Sequence, residues 1–215
     1  MKLLLDILKE VPEYLRLEAA LEGGRSPVEV SGLSPVHRAH FAAGLLSRLK
    51  APVVLVCADE AECARLAADV EALTGTPAAM LCAREFLFHE GAVASRQWEH
   101  QRLAAFHAMA QGKAKLIAAT VEGLLQRTLP PEELDAHAVT VEITGSYDLD
   151  ELADRLAALG YTRCQQVEGV GQFALRGGIL DVFSPGMDSP VRVEFWDQDV
   201  DSMGLFDVSS QRRTG

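Results

Sequence analysis

The segment from Gly32 to Ala39, Gly-Leu-Ser-Pro-Val-His-Arg-Ala, lies where a phosphate-binding loop would lie, between a predicted strand and a predicted helix. Such a loop needs glycines whose backbone N–H groups wrap phosphates, a lysine for the β and γ phosphates, and a hydroxyl for magnesium. Pro35, Arg38 and Ala39 stand where a glycine, the lysine and the hydroxyl residue should be. Proline has no N–H to donate, and alanine has no oxygen for a metal. The segment therefore predicts either a degenerate phosphate loop without ATP hydrolysis or an ordinary strand-to-helix turn.

Two other groups of residues have a spacing that metal sites use. His37 and His40 share a helix face, and Asp197, Asp199 and Asp201 alternate within one turn segment. The histidines have no third ligand nearby in the sequence, and the aspartates lack the glycine and the terminal glutamate of an EF-hand loop. The four cysteines form no CxxC pair, and no nucleophile–base motif is present. We therefore predict no metal site and no catalytic residues.

Three arginines lie among apolar residues in the last third of the chain: Arg163, Arg176 and Arg192, with Phe183 between them. Glycines in this region occur where turns between strands are expected, so the arginines are predicted to lie on a small twisted sheet. Arginine beside aromatic residues is the composition of a protein-binding hot spot. The pattern favours a protein-binding surface, and for each arginine alone an ordinary solvent-exposed side chain fits equally well.

The elements that would position the phosphate-like loop alternate between helical and strand patterns up to residue 143. Helical spacing predicts two helices broken near Pro12 and closed by Gly23-Gly24, and then helices at 36–49, 59–73 with Asp59 as N-cap, 95–111 with Ser95 as N-cap, 120–127 and a last one opened by Pro130. Short apolar runs predict strands at 27–31, 52–57, 75–81, 115–120 and 139–143. This alternation predicts an α/β domain over residues 1–143, with a parallel sheet covered by helices on both faces.

After residue 143 the pattern changes to one helix followed by strands. The helix is predicted at 148–159, with Asp148 or the preceding Tyr147 at its start and Gly160 at its end, and the strands are predicted at 165–168, 172–175, 179–183, 191–196 and 200–206. Gly169-Val-Gly171 is read as a hairpin turn between the first two strands. Residues 144–215 are therefore predicted to form a small α+β domain with an antiparallel sheet and one main helix.

Length and charge limit the possible functions. The chain has 215 residues, enough for one large domain or two modest ones, and its net charge is −11. Because nucleic-acid binding depends on basic groups that neutralise phosphates, tight DNA or RNA binding by this chain alone is disfavoured. No apolar run is long enough to cross a membrane, and Asp6 comes too early for a signal peptide, so we predict a cytoplasmic location and no membrane partner.

The densest motif runs from 160 to 185, Gly-Tyr-Thr-Arg-Cys-Gln-Gln-Val-Glu-Gly-Val-Gly-Gln-Phe-Ala-Leu-Arg-Gly-Gly-Ile-Leu-Asp-Val-Phe-Ser-Pro. It is followed by Pro-Val-Arg-Val-Glu-Phe-Trp-Asp at 190–197 and Phe-Asp-Val-Ser-Ser-Gln-Arg at 206–212. In these motifs the chain resembles the N-terminal, excinuclease-B-like module of bacterial transcription-repair coupling factors. The resemblance extends upstream through 119–126 and 129–132 to the loop at Gly32.

The resemblance implies a fold and a function. Residues 1–143 would be a partial P-loop-like (RecA-like) domain that has lost its ATPase, and residues 144–215 would dock excinuclease A during nucleotide excision repair. The docking strand of excinuclease B carries an Arg-x-Arg-Gly pattern; Arg176-Gly177 matches its second half, and Ala174 replaces its first arginine. Arg176 is therefore the expected anchor, with Arg163 and Phe183 as candidates by proximity.

By the same resemblance, the chain would be a fragment of an ATP-driven translocase that acts on RNA polymerase stalled at DNA lesions. ATP and magnesium, RNA polymerase and DNA would then be bound by other parts of the parent protein, and this fragment would hold no cofactor. The alternative is a divergent excinuclease B that binds damaged DNA in a nucleotide-dependent way. An unrelated α/β domain joined to a β-rich interaction domain is the third reading.

Overall fold

The computed structural model describes residues 2–83 and 96–214. The chain divides into two compact units, Met1–Arg127 and Thr128–Gly215. This division lies nearer the N-terminus than the predicted one after residue 143. The physical reason is that Val139 and Val141 pack against the hydrophobic core of the second unit, so the segment before residue 144 belongs to it.

The first unit is built on a short parallel sheet. Its helices are α1 (Lys2–Asp6), α2 (Pro12–Glu22), α3 (Pro35–Arg48), α4 (Glu60–Thr74), α5 (Gln97–Ala110) and α6 (Val121–Leu125), with a 3₁₀ turn at Ile7–Glu10. Its strands are β1 (Val53–Cys57), β2 (Ala78–Leu81) and β3 (Leu116–Thr120), and β3 lies between the other two with all three parallel. The α/β fold class predicted from the sequence is confirmed.

Helices cover both faces of this sheet. On one face, α3 and α4 pack on Leu55 and Leu116, and on the other α5 packs on Ile117 and Ala119 of β3. β3 is buried along its whole length, as expected for the central strand of a covered parallel sheet. On the edge strand β1, alternate side chains are exposed, Val54 and Val56 among them, so the predicted fully buried run is buried on one face only.

Several helix boundaries follow the caps read from the sequence. Asp59 caps α4, because its carboxylate accepts the N–H of Glu62 at 2.7 Å. Gly75 ends that helix in the left-handed conformation that favours glycine. Pro12 begins α2 and Gly23 follows its last turn, as predicted. Ser95, the predicted N-cap of α5, lies outside the described residues.

Two predicted strands of the α/β region do not form. Residues 27–31 and 139–143 have no strand structure, although both carry β-branched residues. A strand needs a neighbour with free backbone groups, and propensity does not supply one. The phosphate-like loop therefore enters α3 from an irregular segment and is not a strand-to-helix turn.

The second unit contains two helices and a mixed sheet. The helices are α7 (Pro131–Ala136) and α8 (Leu149–Ala158), and the strands are β4 (Thr162–Arg163), β5 (Gln172–Arg176), β6 (Ile179–Phe183), β7 (Val191–Trp196) and β8 (Asp199–Leu205). The strands lie in chain order; β5 to β8 are antiparallel and β4 is parallel to β5. Leu152 and Leu156 of α8 pack on one face of the sheet, where they meet Phe173, Val193 and Phe195.

The first hairpin of this sheet was predicted at the wrong place. Residues 165–168 form an irregular loop, and the strand before it, β4, runs parallel to β5, so Gly169-Val-Gly171 is not a hairpin turn. The hairpin lies between β5 and β6, where Gly177 adopts a positive φ of 58°. Asp148 caps α8 as predicted, with its carboxylate accepting the N–H groups of Asp150 and Glu151 at 3.0 Å.

Within residues 2–83 and 96–214, no helix is long and apolar enough to span a membrane.

Candidate functional site

An open pocket of about 810 Å³ lies on the second unit, and it contains two of the arginines that stand out in the sequence. It is lined by β4, the loop that follows it and β5, through Arg163, Cys164, Gln165, Gln166, Glu168, Gln172, Leu175 and Arg176. Arg163 and Arg176, thirteen positions apart in sequence, both line the pocket because β4 pairs in parallel with β5, with Thr162 opposite Gln172 and Arg163 opposite Phe173. The pocket is the candidate binding site of this unit.

Arg176 is held on both sides within the pocket. Its Nη2 donates to Asp181 Oδ2 at 2.8 Å, and its Nη1 donates to the carbonyl oxygen of Gln165 at 3.1 Å. The Arg176 side chain is 46% exposed, so it still reaches solvent while these bonds fix its guanidinium. Strand alternation places Arg176 on the sheet face opposite α8, because Phe173, three residues earlier, packs on α8.

A completely buried carboxylate lies beneath Arg176. Asp181 accepts two hydrogen bonds from Arg192, Nε to Oδ1 at 2.7 Å and Nη2 to Oδ2 at 2.8 Å, in addition to the bond from Arg176. Arg192 also lies 4.7 Å from the ring centre of Phe206. Its bonds to Asp181 raise the pKa of Arg192, so this arginine stays charged. The arrangement is an ion cluster around a buried carboxylate, in which each of the three charged groups has a partner of opposite charge.

The loop on the other side of the pocket is shaped by one glutamine. Gln172 Oε1 accepts the N–H of Glu168 at 2.8 Å and the N–H of Gly169 at 3.1 Å. Cys164 donates its Sγ–H to the carbonyl oxygen of Phe173 at 3.2 Å. Burial raises the pKa of this thiol, which favours its neutral, hydrogen-donating form. These bonds give the pocket a defined wall of backbone and side-chain polar groups.

The other two predicted residues lie in different surroundings. Arg163 is exposed on β4 and lines the pocket, and in the described part of the chain no hydrogen bond or ion pair fixes its guanidinium. Phe183 packs beside Val167, Ala174 and Phe206 in a small apolar cluster and does not line the pocket. The pocket therefore brings Arg163 and Arg176 together, and Phe183 supports the sheet beside it.

The phosphate-like loop of the first unit has a geometry unlike that of a nucleotide site. Arg38, at the lysine position, forms an ion pair with Glu62 at 3.1 Å, and Ala39, at the hydroxyl position, is buried against Ala42 and Ala43. Gly32 keeps a positive φ of 79°. A buried alanine offers no oxygen to magnesium, and an arginine paired with a carboxylate is not free for phosphate, so these residues do not fit an ATP–magnesium group.

His37 and His40 are engaged locally. A 3.0 Å hydrogen bond joins His37 Nδ1 to Ser34 Oγ, and a 2.7 Å bond joins His40 Nε2 to the carbonyl oxygen of Leu4. Among the described residues, no group of three or more His, Cys, Asp or Glu side chains is arranged to hold a metal ion.

Comparison with known families identifies the part of the chain that carries the pocket. The family model described as the UvrB interaction domain matches residues 139–215. The matched segment includes the whole pocket, the buried Asp181 cluster and α8.

Most of the chain, and not only residues 139–215, is similar to transcription-repair-coupling factors. The chain is 35% identical over 193 residues to that of Myxococcus xanthus, which is 86% of this chain and 16% of the relative. It is 29% identical over 207 residues to that of Bacillus subtilis (95% and 18%), and 31% identical over 218 residues to that of Staphylococcus aureus strain MRSA252 (99% and 18%). The resemblance found in the sequence is confirmed, and the chain spans less than a fifth of the length of these relatives.

Two residues that build this site were not predicted from the sequence, Asp181 and Gln172. Asp181 was read only as part of a strand, and Gln172 only as the start of one. A signal for Asp181 was present, because an acidic residue interrupts the apolar run Ile-Leu-Asp-Val-Phe. A charged residue inside such a run requires a buried partner. Which arginines pair with Asp181 depends on the strand register, which sets Asp181 opposite Ala174 and Arg192.

Proposed function

We propose that this chain is the excinuclease-B-like adaptor module of a transcription-repair coupling factor and that its second unit docks excinuclease A. The observation that carries the proposal is the pocket of about 810 Å³, in which Arg163 and Arg176 lie together inside the UvrB interaction domain. The similarity of most of the chain to transcription-repair-coupling factors supports the role in transcription-coupled DNA repair.

The chemistry of the pocket supports protein docking. Arginine is the charged residue most enriched at hot spots, since its planar fork makes several hydrogen bonds while its stem packs on apolar surface. The Arg176 guanidinium is fixed by Asp181 and Gln165, so less side-chain entropy is lost when a partner binds. Basic groups exposed on a chain with 31 acidic and 20 basic residues also mark a local patch that a partner can distinguish.

We further propose that the first unit does not hydrolyse ATP. Arg38 is paired with Glu62 and Ala39 is buried, so neither supplies what the phosphate loop of an ATPase supplies. In this proposal, ATP and magnesium act in other parts of the parent protein. RNA polymerase and DNA are likewise contacted by those other parts, in the cytoplasm, and this chain brings the excision machinery to them.

Calorimetric titration of the chain with excinuclease A tests the docking proposal. Losing a hot-spot arginine costs about 2 kcal/mol or more, so Arg176→Ala should weaken the complex by roughly 30-fold. The matched control is Arg155→Ala, which removes an exposed arginine from α8, the helix on the other face of the sheet. The control should bind within about twofold of the unsubstituted chain.

Two results would contradict the docking proposal. The first is that the unsubstituted chain shows no saturable binding to excinuclease A. The second is that Arg176→Ala and Arg155→Ala bind equally well, which would place the contact outside the pocket.

A further inference from the structure

The ion cluster beneath the pocket divides its charges unequally between the interior and the surface. Arg192 has only 15% of its side chain exposed, and it binds both oxygens of Asp181 as well as the carbonyl oxygen of Gln211 at 3.2 Å. Arg192 and Asp181 form a neutral pair that satisfies the interior by itself. Arg176 is the third member and the surplus positive charge, and it is the member that reaches the pocket.

Asp181 lies where it can control the direction of Arg176. It is fully buried on the central strand β6, opposite Ala174 of β5, while Arg176 is two residues further along β5 on the same face. One Asp181 oxygen accepts Nη2 of Arg176, and the carbonyl oxygen of Gln165 accepts Nη1, so the guanidinium is held at both ends. Because rotation about the side-chain bonds would break one of these bonds, the remaining N–H groups point in one direction.

We infer that Asp181 is a positioning residue for docking, which holds Arg176 in the orientation that a protein partner binds. The inference rests on the proposed docking of excinuclease A and deepens it. Asp181 has no exposed surface, so it cannot touch the partner and must act through Arg176. A flexible arginine would lose rotamer freedom on binding, whereas one already held in place loses little.

A double-mutant cycle separates positioning from a general structural role. Calorimetry with excinuclease A is carried out on the unsubstituted chain, Asp181→Asn, Arg176→Ala and the double variant. Asp181→Asn keeps the shape of the side chain and weakens its bond to Arg176. We expect it to weaken docking about tenfold in the unsubstituted chain and less than about twofold in the Arg176→Ala background.

The outcomes are distinct. Equal weakening in the two backgrounds would mean that Asp181→Asn only damages the sheet, and no weakening would mean that Asp181 does not matter; either overturns the inference while docking stands. If the unsubstituted chain does not bind, the docking proposal and this inference both fail. If it binds and Arg176→Ala has no effect, the anchor role of Arg176 and the inference fail together.

A second measurement does not depend on the stability of Asp181→Asn, which leaves Arg192 with a weaker partner. Nuclear magnetic resonance of the arginine guanidinium protons in the unsubstituted chain reports whether Arg176 rotates. We expect separate signals for its Nη1 and Nη2 protons, and averaged signals for Arg163, the matched control in the same pocket. Averaged signals for both arginines would overturn the inference.

Discussion

The turn between β5 and β6 sets the position of Arg176, and its two glycines are needed for different reasons. Gly177 has a left-handed φ of 58°, and nothing lies within 4 Å of the point where a Cβ would stand. A Cβ on Gly178 would instead lie 2.7 Å from the carbonyl oxygen of Phe195, a backbone atom of β7. The carbonyl oxygen of Gly178 also accepts the N–H of Phe195 at 2.7 Å, so the backbone at the start of β6 lies close against β7.

These contacts give different expected costs for Gly177→Ala and Gly178→Ala. At position 177 there is room for the alanine Cβ, and the only cost is that of placing alanine in the left-handed conformation, about 1 kcal/mol. Alanine at 178 must push β6 away from β7. That overpacking costs about 2 kcal/mol, and weakening the Phe195–Gly178 hydrogen bond adds about 1 kcal/mol. We therefore expect Gly178→Ala to lower the free energy of unfolding of the second unit by about 3 kcal/mol.

Native-state hydrogen exchange of the β5, β6 and β7 amides measures this difference directly, because their opening free energies report the local stability of the sheet. Gly178→Ala should accelerate exchange of the β6 and β7 amides far more than Gly177→Ala does. Equal acceleration by the two variants would refute the reasoning from close approach. It would mean that backbone conformation alone explains both glycines.

Three further predictions concern the first unit. Asp59→Ala removes the N-cap of α4 and should lower the free energy of unfolding by about 1 kcal/mol in urea titrations. The control Asp69→Ala, on the exposed face of the same helix, should change that free energy by less than about 0.5 kcal/mol. Equal effects of the two variants would contradict the capping role of Asp59. Burial raises the pKa of Tyr14 to about 12 from 10.0, so the stability that its neutral form contributes is present below pH 10 and is lost as the pH rises from 10 to 12. Tyr14→Phe should remove that slope, on the order of 2 kcal/mol, from the pH dependence of unfolding, and an unchanged slope would contradict the assignment. Ala39→Thr should not create ATP binding in calorimetry, because Arg38 stays paired with Glu62 and Pro35 still lacks an N–H. Saturable binding of ATP by the unsubstituted chain at micromolar concentration would refute the proposed loss of the nucleotide site.

Local signals in the sequence were sufficient for the helices and for most strands. Asp59 and Asp148 cap α4 and α8 through hydrogen bonds to residues two or three positions away, and such contacts can be read from a short window. The failed strands at 27–31 and 139–143 had suitable residues but no neighbouring strand. β4 shows the reverse: it has two residues, and it exists because β5 offers it a parallel partner.

The candidate site was also predictable only in part, because local sequence signals do not determine the register of the strands. Arg163 and Arg176 could be proposed as one surface, because both lie in strands of the same small sheet. The cluster that holds Arg176 could not, since it depends on the register of β5, β6 and β7, which aligns Asp181 with Ala174 and Arg192. A shift of one residue in any of these strands would turn the side chains to the other face.

A hydrogen-exchange footprint of the complex tests whether excinuclease A docks on the pocket. Amide exchange is compared in the free chain and in the chain saturated with excinuclease A. We expect slower exchange at the pocket-lining residues of β4, of the loop that follows it and of β5, and unchanged exchange in α8, which packs on the sheet face opposite Arg176. Protection of α8 with no protection at residues 163–176 would contradict docking on the pocket.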